Sequence, residues 1–149
     1  MNYYSTNNRS LSVSLREAVM RGLAEDNGLY MPAKIPRLPK SFIAGLSAMS
    51  NQEIAMVITK TMIGDDLPDD VIQAIVDKTI TFKVPLVKLE DQVWALELFH
   101  GPTLAFKDFG AQFMAALFGH FAESQSEEIT ILAATSGDTG SAVAHGFHN

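Results

Sequence analysis

One short apolar run near the end of the chain constrains the fold more than any other feature. Residues 129–134 read ITILAA, with little alternation, which is typical of a strand buried on both faces of a parallel sheet. A strand-like run over 93–99 and a helical pattern over 107–122 precede it. This order predicts a βαβ connection, with residues 129–134 parallel to residues 93–99.

Composition places the chain among folded proteins and excludes several classes of function. Of its 149 residues, 47% are hydrophobic and 19% are charged, and the net charge is −6. This negative net charge argues against an extended electrostatic surface that binds nucleic acid or anionic lipid. The absence of cysteine excludes a disulfide scaffold and a cysteine-ligated metal site, and the spacing of His145 and His148 is too weak a signal to predict a metal.

The first ten residues lack a basic segment followed by an apolar one, as a secretion signal would have. No run approaches the roughly 18 apolar residues that cross a membrane. We therefore expect a soluble, cytoplasmic protein.

The first 80 residues predict a small, mainly helical unit. Two capping-box patterns, Ser14 with Glu17 and Ser50 with Glu53, predict helices over 15–24 and 51–62, the second ending at Gly64. A third helix is expected from residue 68. Residues 86–89 and 93–99 then predict strands, so residues 81–149 form the beginning of an α/β domain. The predicted fold class is α/β, with a parallel sheet that is incomplete.

Two loops follow predicted strands, where the loops of a parallel sheet gather at one edge and build ligand sites. In the first loop, Lys107 begins a helix among Phe99, Phe106 and Phe109. A lysine in apolar surroundings at the positive end of a helix is a candidate nucleophile for a carbonyl group. The alternative is a surface lysine paired with Asp108.

The second loop reads SGDTG, at residues 136–140. Gly137 and Gly140 let the backbone approach a ligand, while Ser136, Thr139 and the amides at the next helix start offer donors to a carboxylate or phosphate. The alternative is a tight connection with Asp138 or Thr139 as the helix N-cap.

Taken together, these loops resemble those of threonine synthases. The resemblance rests on ELFHGPTLAFKDFGAQFMA and TILAATSGDTGSAVAH, with SLREAVMRGLAEDNGLYMP and IGDDLPDDV nearer the start. It covers the whole chain and corresponds to about the first third of such an enzyme. It implies a fold-type II pyridoxal-phosphate lyase that converts O-phospho-L-homoserine and water into L-threonine and phosphate.

The resemblance also implies roles for individual residues. Lys107 would bind the cofactor covalently and then serve as the base at the substrate carbons. Ser136, Gly137 and Thr139 would hold the substrate α-carboxylate. Asp138 would lie near the cofactor 3′-oxygen, where many fold-type II enzymes have asparagine.

In the family, a later glycine-rich loop binds the cofactor phosphate, and later strands complete the sheet. We therefore expect the isolated chain to be inactive, to lack the cofactor and to self-associate through its open sheet edge. Two alternatives remain, a different fold-type II lyase and a noncatalytic structural fragment. The HGPT sequence and the amino-terminal unit favour threonine synthase.

Overall fold

The computed structural model describes residues 1–126, 128–135 and 137–148. The chain divides into two compact units, Met1–Asp77 and Lys78–Asn149, which we describe separately. The strands are β1 (Tyr3–Ser5), β2 (Ser12–Val13), β3 (Tyr30–Pro32), β4 (Leu86–Glu90) and β5 (Val93–Leu96). The α-helices are α1 (Leu15–Arg21), α2 (Lys40–Gly45), α3 (Asn51–Ile63), α4 (Asp69–Thr79), α5 (Lys107–Ala122) and α6 (Asp138–Phe147). Single 3-10 turns lie at Leu46–Ala48 and Gly64–Asp66.

Both predicted capping boxes are confirmed. The Glu53 N–H donates to Ser50 Oγ over 3.2 Å, and the Ser50 N–H donates to Glu53 Oε2 over 2.7 Å; Ser14 and Glu17 make the same reciprocal pair. Each box satisfies backbone donors that a helix start leaves open. Helix α3 ends at Gly64 as predicted, whereas α1 stops at Arg21, three residues earlier than expected.

A three-stranded antiparallel sheet in the first unit was not predicted. Strand β1 lies at its centre, with Tyr3 opposite Val13 of β2 and Pro32 of β3. Its strands have only two or three residues, too few for an alternating pattern to be recognised.

The most deeply buried apolar side chains of the first unit lie on α4. Ile72 and Val76 of α4 are fully buried, and Ile63 and Leu67 are nearly so. Ile75 is nearly buried as well, so one face of α4 points into the core.

In the second unit the predicted parallel sheet is not confirmed, because the strands described there are antiparallel. Strands β4 and β5 pair with each other as an antiparallel hairpin, with Val87 opposite Ala95. Residues 128–135 form neither helix nor strand, and the run lies exposed. A parallel strand needs neighbours that are distant in sequence, whereas a short turn pairs β4 with β5 locally. The coarser prediction of a mixed α/β chain stands.

Within the described residues, no helix is long and apolar enough to cross a membrane.

The central strand β1 of the first unit contains a buried serine, Ser5, whose hydrogen bonds should contribute to stability. Ser5 is fully buried, its hydroxyl donates to Asp26 Oδ1 over 2.6 Å, and its oxygen accepts the Asn7 N–H over 3.2 Å. Ser5→Ala removes both bonds, so we expect it to lower the free energy of unfolding by about 1–3 kcal/mol. Urea denaturation followed by tyrosine near-UV circular dichroism measures this, because all three tyrosines lie in the first unit.

The hydrogen bond from Ser5 to Asp26 also predicts how the free energy of unfolding depends on pH. The Ser5 hydroxyl, followed by the Gly28 N–H, lowers the pKa of Asp26. A lowered pKa in the folded state stabilises the fold above the unfolded pKa, and this contribution is lost as pH falls through the folded value. Ser5→Ala should therefore weaken the acid dependence of stability. Ser10→Ala, which removes an exposed hydroxyl, is the control, and equal effects from both substitutions would contradict the assignment.

Candidate active site

Lys107 is the first residue of α5, and its side chain is exposed. Its ammonium nitrogen lies 5.1 Å from the centroid of the Phe106 ring, a cation–π arrangement. The other two expected aromatic neighbours pack elsewhere: the ring of Phe109 lies 4.5 Å from that of Phe82, and Phe99 lies 4.8 Å from His100. One aromatic face therefore supports the lysine, rather than three enclosing it.

Asp108 is fully buried, and its carboxylate binds Thr103. Its Oδ2 accepts the Thr103 N–H over 2.9 Å, and its Oδ1 accepts the Thr103 hydroxyl over 2.6 Å. The expected alternative, in which Asp108 pairs with Lys107, is therefore wrong: the carboxylate binds the turn before the helix.

The second predicted loop leads into α6. Gly137 has φ 145°, a region that favours glycine, and its carbonyl accepts the Ser141 N–H over 3.0 Å. Gly137 itself occupies the N-cap position and provides no side-chain cap, so the alternative with Asp138 or Thr139 as N-cap is wrong. Ser136 lies outside the described residues.

A cleft of about 290 Å³ lies between the first turns of α5 and α6. Its lining residues are Phe106, Lys107, Gly110, Ala111, Thr139 and Val143. Two predicted site residues, Lys107 and Thr139, thus face one cavity. Gly137 and Asp138 lie at the start of α6 but do not line it.

Close packing of α5 on α6 creates this cleft. A Cβ placed on Gly146 would lie 3.0 Å from the Ala111 carbonyl oxygen and 3.3 Å from Ala115 Cβ. Farther along, the rings of Phe118 and Phe147 meet edge to face, 5.7 Å apart. Small residues let the two backbones approach, and the aromatic pair fixes their register.

The cleft combines a primary amine, a hydroxyl and an apolar wall. An amine can attack a carbonyl, a hydroxyl can bind an anionic or polar group, and apolar lining suits a planar ring. Sequence reasoning missed Ala111, Val143 and the bond between Asp108 and Thr103. The i+4 spacing of Ala111 from Lys107 and of Val143 from Thr139 is the signal that could have indicated two shared helix faces.

A second cavity, of about 180 Å³, lies at the other end of α6 and is lined by Lys78, Gln112, His145 and His148, among others. Across the described parts of the chain, no three acidic, histidine or cysteine side chains are grouped as a metal site would require.

Comparisons with known proteins point to one family. The sequence profile described as "Threonine synthase N terminus" matches residues 2–80. The curated threonine synthase of Haemophilus influenzae is 45% identical over 148 residues, covering 99% of this chain and 34% of that protein. The threonine synthase of Escherichia coli is 39% identical, with the same two coverages.

Solved structures agree with the sequence comparisons. The crystal structure of threonine synthase from Escherichia coli superposes with a TM-score of 0.92 at 39% identity, over 99% of this chain and 34% of that one. The PLP-bound threonine synthase from Brucella melitensis superposes with a TM-score of 0.90 at 36% identity, over 99% of this chain and 33% of that one. The chain thus spans about a third of the length of these relatives.

The contact between α5 and α6 predicts the effect of enlarging Gly146. Gly146→Val would push the helices apart, so we expect the free energy of unfolding of the second unit to fall by about 1–3 kcal/mol. Trp94, the single tryptophan, reports on this unit by fluorescence during urea denaturation.

Gly119→Val is the matched control, because a Cβ on Gly119 has no heavy atom within 4 Å. It should change stability by less than about 0.5 kcal/mol. Equal destabilisation by the two valines would show that Gly146 is not at a packed contact.

Proposed function

The chain belongs to the threonine synthase family, and we propose that it forms the amino-terminal third of an enzyme converting O-phospho-L-homoserine and water into L-threonine and phosphate. The observation that supports this most strongly is the shared cleft of Lys107 and Thr139. These residues lie at the starts of two helices and are 32 positions apart, yet both face one cavity.

The cofactor that fits this proposal is pyridoxal 5′-phosphate, which the Brucella melitensis relative binds. The cleft offers the amine of Lys107, the ring of Phe106 and the small residues Gly110 and Ala111, which leave room for a planar ring. When bound, this cofactor supplies an electron sink that stabilises negative charge on substrate carbons.

We assign the proton transfers to Lys107. Its amine would hold the cofactor covalently before the reaction. Once released by the substrate, the amine would take the protons from Cα and Cβ that must leave before phosphate departs. The exposed position of Lys107 at the start of α5 supports this role, since this residue lines the cleft.

Substrate binding is assigned to the loop before α6. Ser136, Gly137 and Thr139 would hold the α-carboxylate, with backbone and hydroxyl donors at the positive end of the helix. Asp138 would lie near the cofactor 3′-oxygen. A carboxylate donates a hydrogen bond only when it carries a proton, so Asp138 would have to be protonated to donate to that oxygen.

We propose further that residues 129–134 form a parallel strand within the complete enzyme, as the beginning of the sheet of an α/β domain over 81–149 that follows a helical unit over 1–80. The exposure of this apolar run supports the strand: Leu132 is 90% exposed, and Ile129 and Ile131 are about 40% exposed. Neighbouring strands would bury these side chains.

The hairpin shows a similar surplus of exposed apolar side chains, including Leu86, Leu89 and Trp94. In the isolated chain these surfaces favour self-association. The net charge of −6 of this chain disfavours a nucleic-acid partner. We propose a cytoplasmic location for the enzyme, since the reducing cytoplasm is compatible with a chain that has no cysteine.

The test joins this chain to the remaining two thirds of the Haemophilus influenzae threonine synthase. After addition of pyridoxal phosphate and reduction with borohydride, peptide mass spectrometry should map the adduct to Lys107. Lys107→Ala should abolish this adduct and the release of phosphate from O-phosphohomoserine. Lys83→Ala, which removes another lysine, should preserve both.

The 149-residue chain alone is a second control. It should release no phosphate, because a cofactor without its phosphate-binding loop loses several charge-assisted hydrogen bonds, each contributing about 1.5–3 kcal/mol. An adduct on a different lysine, or no lysine adduct in the fusion, would refute the proposal. Activity of the isolated chain that depends on Lys107 would refute its predicted inactivity.

A further inference from the structure

Asp108 binds the turn that precedes α5 with both of its carboxylate oxygens. The Thr103 N–H donates to Oδ2 over 2.9 Å, and the Thr103 hydroxyl donates to Oδ1 over 2.6 Å. Bonds to an ionised carboxylate are stronger than those between neutral groups, and the Asp108 side chain is wholly shielded from solvent. A single residue of the helix therefore fixes a residue five positions earlier.

The backbone of the turn also packs directly on Asp108. A Cβ on Gly101 would lie 2.7 Å from Asp108 Cβ and 2.9 Å from its Cγ, nearer than side chains tolerate. The Leu104 N–H closes the turn by donating to the Gly101 carbonyl over 3.0 Å. Only glycine fits at this position without displacing the carboxylate.

The backbone strain at Leu104 requires other interactions that hold the turn in place. Its φ is 59°, in the left-handed region that costs energy for a bulky residue. Its side chain is 74% exposed, so packing of that side chain does not compensate for the strain. The hydrogen bonds between Thr103 and Asp108, one residue away from Leu104, supply the compensation.

The direction of Lys107 follows from this arrangement. Neighbouring residues on an α-helix point about 100° apart, so when the Asp108 side chain is fixed in the buried turn, Lys107 is directed to another side. That side is the cleft shared with Thr139. The Asp108 N–H also donates to the Ala105 carbonyl over 3.1 Å, which joins the turn to the first residues of the helix.

We propose that Asp108 is a positioning residue, which anchors the turn over 101–105 to the start of α5 and so holds the Lys107 amine at the cleft. This inference rests on the proposed role of Lys107 as the cofactor lysine. Asp108 itself faces the turn and acts through its neighbour.

The test measures where the amine is held, without relying on turnover. The 149-residue chain is labelled with limiting pyridoxal phosphate and borohydride, because reduction traps an amine adduct that forms only transiently and so does not require the chain to retain the cofactor. Mass spectrometry gives the labelling of Lys107 relative to exposed Lys34 in the same molecule. Asp108→Asn cannot accept both Thr103 bonds, and Thr103→Val removes the hydroxyl bond alone. Thr103→Ser keeps both donors and is the matched control.

In the unchanged chain and in Thr103→Ser, we expect Lys107 to be labelled in preference to Lys34. The ratio should fall about tenfold in Asp108→Asn, as expected for a misplaced reacting group, and by less in Thr103→Val. Far-UV circular dichroism and Trp94 fluorescence confirm that each variant is folded, and Thr103→Val remains informative if Asp108→Asn unfolds.

The inference would be overturned if folded Asp108→Asn and Thr103→Val kept the labelling ratio of Lys107 to Lys34 found in the unchanged chain. Asp108 would then have a purely stabilising role. Equal labelling of Lys107 and Lys34 in the unchanged chain would overturn it too. Neither result decides the proposed function, because the fusion experiment tests the cofactor lysine separately.

Discussion

The packing of α5 against α6 is the contact on which the candidate site depends. Gly146 brings the α6 backbone against Ala111 and Ala115, and the edge-to-face pair of Phe118 and Phe147 sets the register of the helices. Interiors are packed tightly enough that one added methylene is felt. The position of Thr139 opposite Lys107 is therefore a consequence of small residues about one to two helical turns away.

Two kinds of interaction then define the amine end of the cleft. Apolar packing brings the helices together without specifying the direction of any one side chain, because it is not directional. The hydrogen bonds of Asp108 to Thr103 are directional. They compensate for the backbone strain at Leu104. They also explain how Lys107 can keep a defined position although its side chain is exposed.

Local signals in the sequence predicted local structure well. Ser50 and Glu53 lie three residues apart, so their capping box depends on nothing outside the helix. The motif that contains Lys107 likewise indicated a helix start, which the structure confirms. The pairing of Tyr3 with Pro32 depends instead on residues that are 29 positions apart, and strands this short leave no periodic pattern.

Other expectations failed for a different reason. Residues 129–134 have the composition of a buried strand, but composition indicates only which environment a segment prefers. Among the residues that the structure describes, no strand pairs with this run. Asp108 next to Lys107 suggested an ion pair by sequence proximity. Adjacent helical residues face different directions, and the part-buried donors of Thr103 attract the carboxylate more effectively than an exposed amine.

The packing of α5 on α6 is tested most directly by a nuclear Overhauser spectrum of the isotope-labelled 149-residue chain. If α5 and α6 pack as described, the Ala115 methyl should show cross-peaks to the α-protons of Gly146, and the ring protons of Phe118 to those of Phe147. Such contacts would establish that these helices build the cleft by themselves. Random-coil chemical shifts throughout α6, with no cross-peaks to α5, would contradict the account.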